Sequence, residues 1–122
     1  MKWEQLLSPY RRKDSDKDKK RSWGGGRTEH ERDFDRILFS APVRRLADKT
    51  QVFPLDRNDA VHNRLTHSHE AANLCRSIGT YLAFNTEVFP KSVHAMRNVP
   101  AMLAAAGLAH DLGNPPFGHQ GE

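Results

Sequence analysis

The sequence has a single cysteine, Cys75, among its 122 residues. An internal disulfide is therefore excluded. One thiol on the apolar side of a predicted helix reads as a small core residue, and such sparing use fits a reducing cytoplasm. The N-terminus carries basic residues but no apolar run behind them, so no secretory signal peptide is expected. The longest apolar-rich stretch, 100–109, is too short to span a bilayer, so no membrane association is expected. No internal repeat and no convincing sheet is present, and the periodic segments are those of helices. An all-α fold follows. The length allows one domain at most.

What is abundant is charge. Lys and Arg number 19 against 15 Asp and Glu, a net charge of +4, with an isoelectric point near 9.5. That balance suits an anionic partner such as a nucleotide or a nucleic acid, and equally a soluble basic surface. Much of the charge lies in the first thirty residues. Residues 1–10 form a short amphipathic segment, with Trp3, Leu6 and Leu7 at helical spacing. Residues 11–21 are a mixed-charge run, and residues 22–26 (Ser-Trp-Gly-Gly-Gly) read as a flexible linker. Trp23 beside the basic run offers a stacking surface for a base, which leaves single-stranded DNA as a possible partner of the tail.

The helical part begins near Glu29. Residues 29–39 place Phe34, Ile37 and Leu38 on one face and charges on the other. Ser40 is a plausible N-cap, with Pro42 early in a second, short helix reaching about Asp48. Val43 and Leu46 are its apolar positions, and Arg44 and Arg45 face either a phosphate or water. Residues 51–55 read as extended before Pro54, and residues 56–59 as a polar turn. From about Asn63 to Ala83 the helical pattern is strong, with Ala71, Leu74, Cys75, Ile78 and Leu82 on one stripe. His67 extends that stripe by one turn, whereas His69 points elsewhere. Residues 85–98 read as a loop, with His94 exposed. Residues 99–112 form the second main helix, where Met102, Leu103, Ala106 and His110 share a face expected to be buried. Its Ala residues would let it approach the His67 helix closely.

The chain then runs through His110-Asp111-Leu112-Gly113-Asn114-Pro115-Pro116-Phe117-Gly118-His119-Gln120-Gly121-Glu122. His and Asp suit a divalent cation. Neighbours on a helix do not share a face, but at a frayed helix end both side chains can turn to one point. The Gly and Pro residues stop the helix and fold the chain back, which makes His119 and Glu122 candidates for proton transfer beside a metal. A His-Asp pair alone also occurs as an ordinary polar helix end, and His119 also suits a turn cap. The full string is far more specific.

That string resembles the core of the HD-domain metal phosphohydrolases. It is most similar to the bacterial deoxyguanosine triphosphate triphosphohydrolases, whose pattern His-Asp-x-Gly-Asn-Pro-Pro-Phe-Gly-His-x-Gly-Glu is matched at every fixed position. Asn114 stands where some relatives carry His, which fits this branch. The resemblance continues through residues 3–7, 31–37, 49–55 and 64–68. It implies a helical HD bundle, present as its N-terminal portion over residues 29–122 behind a charged flexible tail and linker over residues 1–28.

The resemblance further implies His67, His110 and Asp111 as metal ligands, with Mg2+ or Mn2+ as the ion. The family's fourth ligand is a downstream Asp, and no Asp follows Asp111 in this sequence, so an N-terminal fragment is expected. The implied reaction hydrolyses dGTP, or another dNTP, to deoxynucleoside and inorganic triphosphate. Arg64 would meet the phosphates, or else be a surface charge on the first helical turn. His119 would pass a proton, and Glu122 would orient it. The full-length form is expected to be a homo-oligomer in the cytoplasm. Two alternatives stay open: another HD nucleotide phosphohydrolase, or an inactive piece that binds nucleic acid or pairs with an intact subunit. Short of helix partners, the isolated chain is expected to be marginally stable or self-associating.

Overall fold

The computed structural model describes residues 2–8, 26–49 and 63–114. Every regular element among them is helical: α1 (Trp3–Leu6), α2 (Glu29–Leu38), α3 (Ala41–Arg44) running into a 3-10 turn (Arg45–Asp48), α4 (Arg64–Asn85) and α5 (Val93–Ala109). The expected charged run, the linker up to Gly25, the extended 51–55 segment, the 56–59 turn, His119 and Glu122 lie outside the described residues.

Local chemistry starts each long helix. At α2, the Thr28 side chain accepts from the Glu31 N–H, and the Glu31 carboxylate accepts from the Thr28 N–H. This reciprocal cap satisfies two otherwise orphan donors. Asn63 and Thr66 do the same for α4. Ser92 caps α5 through the Ala95 N–H. Ser40 precedes α3 at the N-cap position, with Pro42 near its start, but makes no side-chain cap bond.

The centre of the fold is the antiparallel pair α4 and α5. A methyl group added at Gly79 would stand 2.9 Å from the Pro100 Cα, and one at Gly107 would stand 2.9 Å from the Ala71 carbonyl oxygen. Bare glycine at both points lets the backbones meet. The buried face of α4 is correspondingly small: Ser68, Ala72, Gly79 and Ala83. α5 contributes Ala95, Val99, Ala104, Ala105, Gly107 and Leu108. Val43, Ala72 and Leu108 form the buried cluster, onto which Phe34, Ile37 and Leu38 of α2 pack together with Leu65 and Leu112. The apolar face expected for α2 is thus the one it uses. Leu46 is buried as well.

Three expectations are corrected. The second main helix begins at Val93, not Val99, and carries Pro100 in its interior. Proline inside a helix sacrifices a hydrogen bond, and here Gly79 opposite makes room for it. On α4, Leu74 and Ile78 are exposed and Cys75 only half-buried, so the large-residue stripe is not the packed face. On α5, Ala106 is exposed and Leu108 is inside. His110, expected on the buried face, is the C-cap of α5, still in helical backbone conformation, and is exposed.

Ordered contacts also begin before Glu29. Thr28 is buried, Arg27 pairs with Asp35, and the Gly26 carbonyl accepts from Arg97 at 2.6 Å. The edge of the Trp3 ring meets Phe89, with centroids 4.5 Å apart. No helix among the described residues is long and apolar enough to cross a membrane.

Candidate metal centre

The antiparallel register that pairs Gly79 with Pro100, and Ala71 with Gly107, continues for one more turn. It brings His67, in the first turn of α4, beside His110, just past the end of α5. Their Nε2 atoms are 3.2 Å apart, and the rings meet edge to face with centroids 5.1 Å apart. His110 is held from behind: its Nδ1 donates to the Gly107 carbonyl oxygen at 2.7 Å. A carbonyl can only accept, so the proton sits on Nδ1 and the Nε2 lone pair is turned toward His67 Nε2. This is the usual backing of a metal-ligating imidazole.

Asp111 follows at the helix end, where the chain no longer obeys helical geometry. Its Oδ1 lies 3.6 Å from His110 Nε2, and its Oδ2 lies 3.9 Å from His67 Nε2. One ligand atom from each of the three residues can be chosen so that all lie within 4.8 Å of one another. The residue is only 8% exposed, and Oδ2 has no hydrogen-bond partner. A buried carboxylate oxygen left unmatched is costly, and a cation between it and the imidazoles would match it.

The distances suit such an ion. Two nitrogens bonded at about 2.1 Å and meeting at octahedral to tetrahedral angles stand about 3.0–3.4 Å apart, and the imidazoles already do. The carboxylate oxygens stand slightly farther off, at 3.6 and 3.9 Å from the two nitrogens. His69, two residues from His67, is exposed on the other side of α4. There it lines a separate cavity of about 620 Å³ with Phe34, Arg76, Arg97 and Pro100, which includes none of the three ligand candidates.

Arg64 is not the surface charge considered above. It is 4% exposed, and its Nε and Nη1 have no partner. Ser68, one turn along the same face, is fully buried with an unpartnered hydroxyl. A buried guanidinium with open donors at a helix N-terminus is suited to an anion.

Two contributors escaped the sequence reading. Asn114 donates from Nδ2 to Asp111 Oδ1 at 2.8 Å. Lys49 donates from Nζ to the Asn114 carbonyl oxygen at 3.3 Å, while its own carbonyl accepts from the Arg64 N–H at 3.0 Å. Asn114 sat within the motif and carried the signal. Lys49 had none, because its partner is 65 residues away.

Comparison with known proteins bears on what this cluster belongs to. Across its whole length the chain is 45% identical to a deoxyguanosinetriphosphate triphosphohydrolase-like protein of Listeria monocytogenes. It is 43% identical, again across its whole length, to one of Synechocystis. A Pseudomonas aeruginosa protein of the same description is 46% identical over 80% of the chain. Over its whole length the chain is thus similar to deoxyguanosinetriphosphate triphosphohydrolase-like proteins. It spans 27% of the length of the Listeria and Synechocystis relatives, and the matched part is 22% of the Pseudomonas one. No family model matches it. His67, His110 and Asp111 are the group among the described residues that could hold a metal ion.

Proposed function

We propose that the chain carries the metal-binding half of an active site that hydrolyses dGTP, or a related deoxynucleoside triphosphate, to deoxynucleoside and inorganic triphosphate. The observation that carries this reading is the buried, unpartnered Asp111 Oδ2 beside two imidazole nitrogens 3.2 Å apart. Similarity to deoxyguanosinetriphosphate triphosphohydrolase-like proteins supports the substrate class.

His67, His110 and Asp111 would hold a divalent cation, Mg2+ or Mn2+ by the oxygen-rich chemistry of the substrate. Such an ion lowers the pKa of water and offsets charge on the α-phosphate. Arg64 turns its open Nε and Nη1 donors to the phosphate oxygens, and its fixed fork orients them. Water adds to the α-phosphorus, the bond to the sugar 5′-oxygen breaks, and the triphosphate departs with the new oxygen. His119 donates the proton that the 5′-oxygen takes up, and Glu122 keeps that imidazole oriented and charged. These last two roles rest on the motif alone.

The deciding experiment incubates the full-length protein with dGTP and Mn2+ and separates products by anion exchange. Deoxyguanosine and tripolyphosphate are expected, and both disappear in Asp111→Asn. Release of pyrophosphate or orthophosphate instead would assign a different phosphohydrolase reaction. A second reading, a subunit-pairing role without turnover, is favoured by the exposed apolar residues of α4. It predicts no nucleotide product under any metal.

A further inference from the structure

We infer that Asn114 is the positioning residue of the Asp111 carboxylate, and that Lys49 holds Asn114 in place. The inference rests on the reading of His67, His110 and Asp111 as a ligand set, and adds what aims the third ligand.

A carboxylate has two oxygens and a broad torsion about its last bond. In a metal site only some rotations present a lone pair to the ion. The Asn114 amide occupies Oδ1 at 2.8 Å, which leaves Oδ2 as the oxygen with no partner. Rotating the group away would break that hydrogen bond. An amide suits this task because it donates without adding charge, so the carboxylate keeps its full negative charge for a cation. An Asp in its place would repel Asp111, and an apolar residue would leave it loose.

Asn114 is itself fixed from two sides. Its N–H reaches the Asp111 carbonyl at 3.4 Å across a four-residue turn. Gly113, third in that turn, has φ +95°, a conformation glycine adopts without strain. From the other side Lys49 Nζ reaches the Asn114 carbonyl. Lys49 also accepts the first N–H of α4, the helix that carries His67. One lysine thus ties the segment bearing one ligand to the turn that aims another. Asn114 is exposed and belongs to no packed core, so fold stability gives little reason for this arrangement.

The test titrates Co2+ into the full-length protein, following visible absorption and calorimetry, alongside thermal melts without metal. The unsubstituted chain should bind, and His110→Ala should lose binding. Asn114→Ala should weaken binding about 10–100-fold, the usual effect of losing a ligand's hydrogen-bond partner, with an unchanged metal-free melting midpoint. Lys49→Met should weaken it less, in the same direction. If Asn114→Ala binds Co2+ like the unsubstituted chain while His110→Ala does not, the positioning role is wrong and the ligand set stands. If Asn114→Ala lowers the metal-free midpoint and Lys49→Met leaves affinity unchanged, Asn114 serves the fold alone. No binding by the unsubstituted chain, or full binding by His110→Ala, overturns the ligand set and the positioning role with it.

Discussion

His67 and His110, 43 residues apart in sequence, bring their Nε2 atoms to 3.2 Å because two helices cross on glycine. Bound metal should therefore staple α4 to α5. Saturating Mn2+ or Co2+ should raise the melting midpoint, and EDTA should reverse it. At a hundredfold excess over the dissociation constant the expected gain is about 2.7 kcal/mol. His67→Ala should abolish the metal-dependent rise. A midpoint indifferent to metal in the unsubstituted chain would count against the cluster as a cation site.

The crossing itself can be probed at Gly107. Helix propensity alone would favour alanine there by about 1 kcal/mol. The new methyl, however, would lie 2.9 Å from a backbone oxygen of α4, which cannot rotate away, and overpacking of this kind costs about 1–3 kcal/mol. Gly107→Ala should thus lower stability in urea and weaken metal binding, since the same residue's carbonyl holds His110. Ala106→Gly, exposed and one position away, should cost only helix propensity and leave metal binding alone. Equal effects from the two substitutions would mean the crossing tolerates a methyl.

The grouping of His67, His110 and Asp111 was legible because its signals are local: a helix start, a helix end, and turn residues directly after. The same holds for α2, whose apolar face and acidic caps lie within ten residues. Other features depend on the partner helix. Periodicity finds the Leu74–Ile78 stripe on α4 but not which side is packed, and close packing selects Ala72, Gly79 and Ala83 instead. Pro100 reads as a helix boundary until Gly79 is seen opposite it. Lys49 and Asn114 meet only after folding. His119 and Glu122 fall outside the described residues, and their roles remain proposals from the motif.

That exposed stripe has a consequence of its own. Leu74, Ile78, Tyr81 and Phe84 are each more than half exposed, and the first three recur at i, i+4 and i+7 on α4. Apolar residues grouped in this way mark a contact surface. The 122-residue chain is expected to self-associate through it, seen as a mass that rises with concentration in sedimentation equilibrium. Leu74→Glu with Ile78→Glu should return it to monomer without changing Co2+ affinity, since neither residue is in the ligand cluster. A constant monomer mass across the series would remove the second copy as occupant of this face.

Burial would raise the Glu31 pKa, but the Thr28 N–H and the guanidiniums of Arg97 and Arg27 outweigh it and hold the group below its ordinary 4.5. A carboxylate depressed by folding contributes stability that is present above its unfolded pKa and lost as pH falls through the folded one. Glu31 both caps α2 and ties it to α5 through Arg97, at 2.8–2.9 Å. Glu31→Ala should therefore cost about 0.5–2 kcal/mol near neutrality, mostly as a lost cap, with the surface ion pair adding little. As pH falls below 4.5 the unsubstituted chain protonates and forfeits the same contacts, so the two denaturation curves should converge. A gap that stays constant from pH 7 to pH 3 would place the loss in packing rather than in charge.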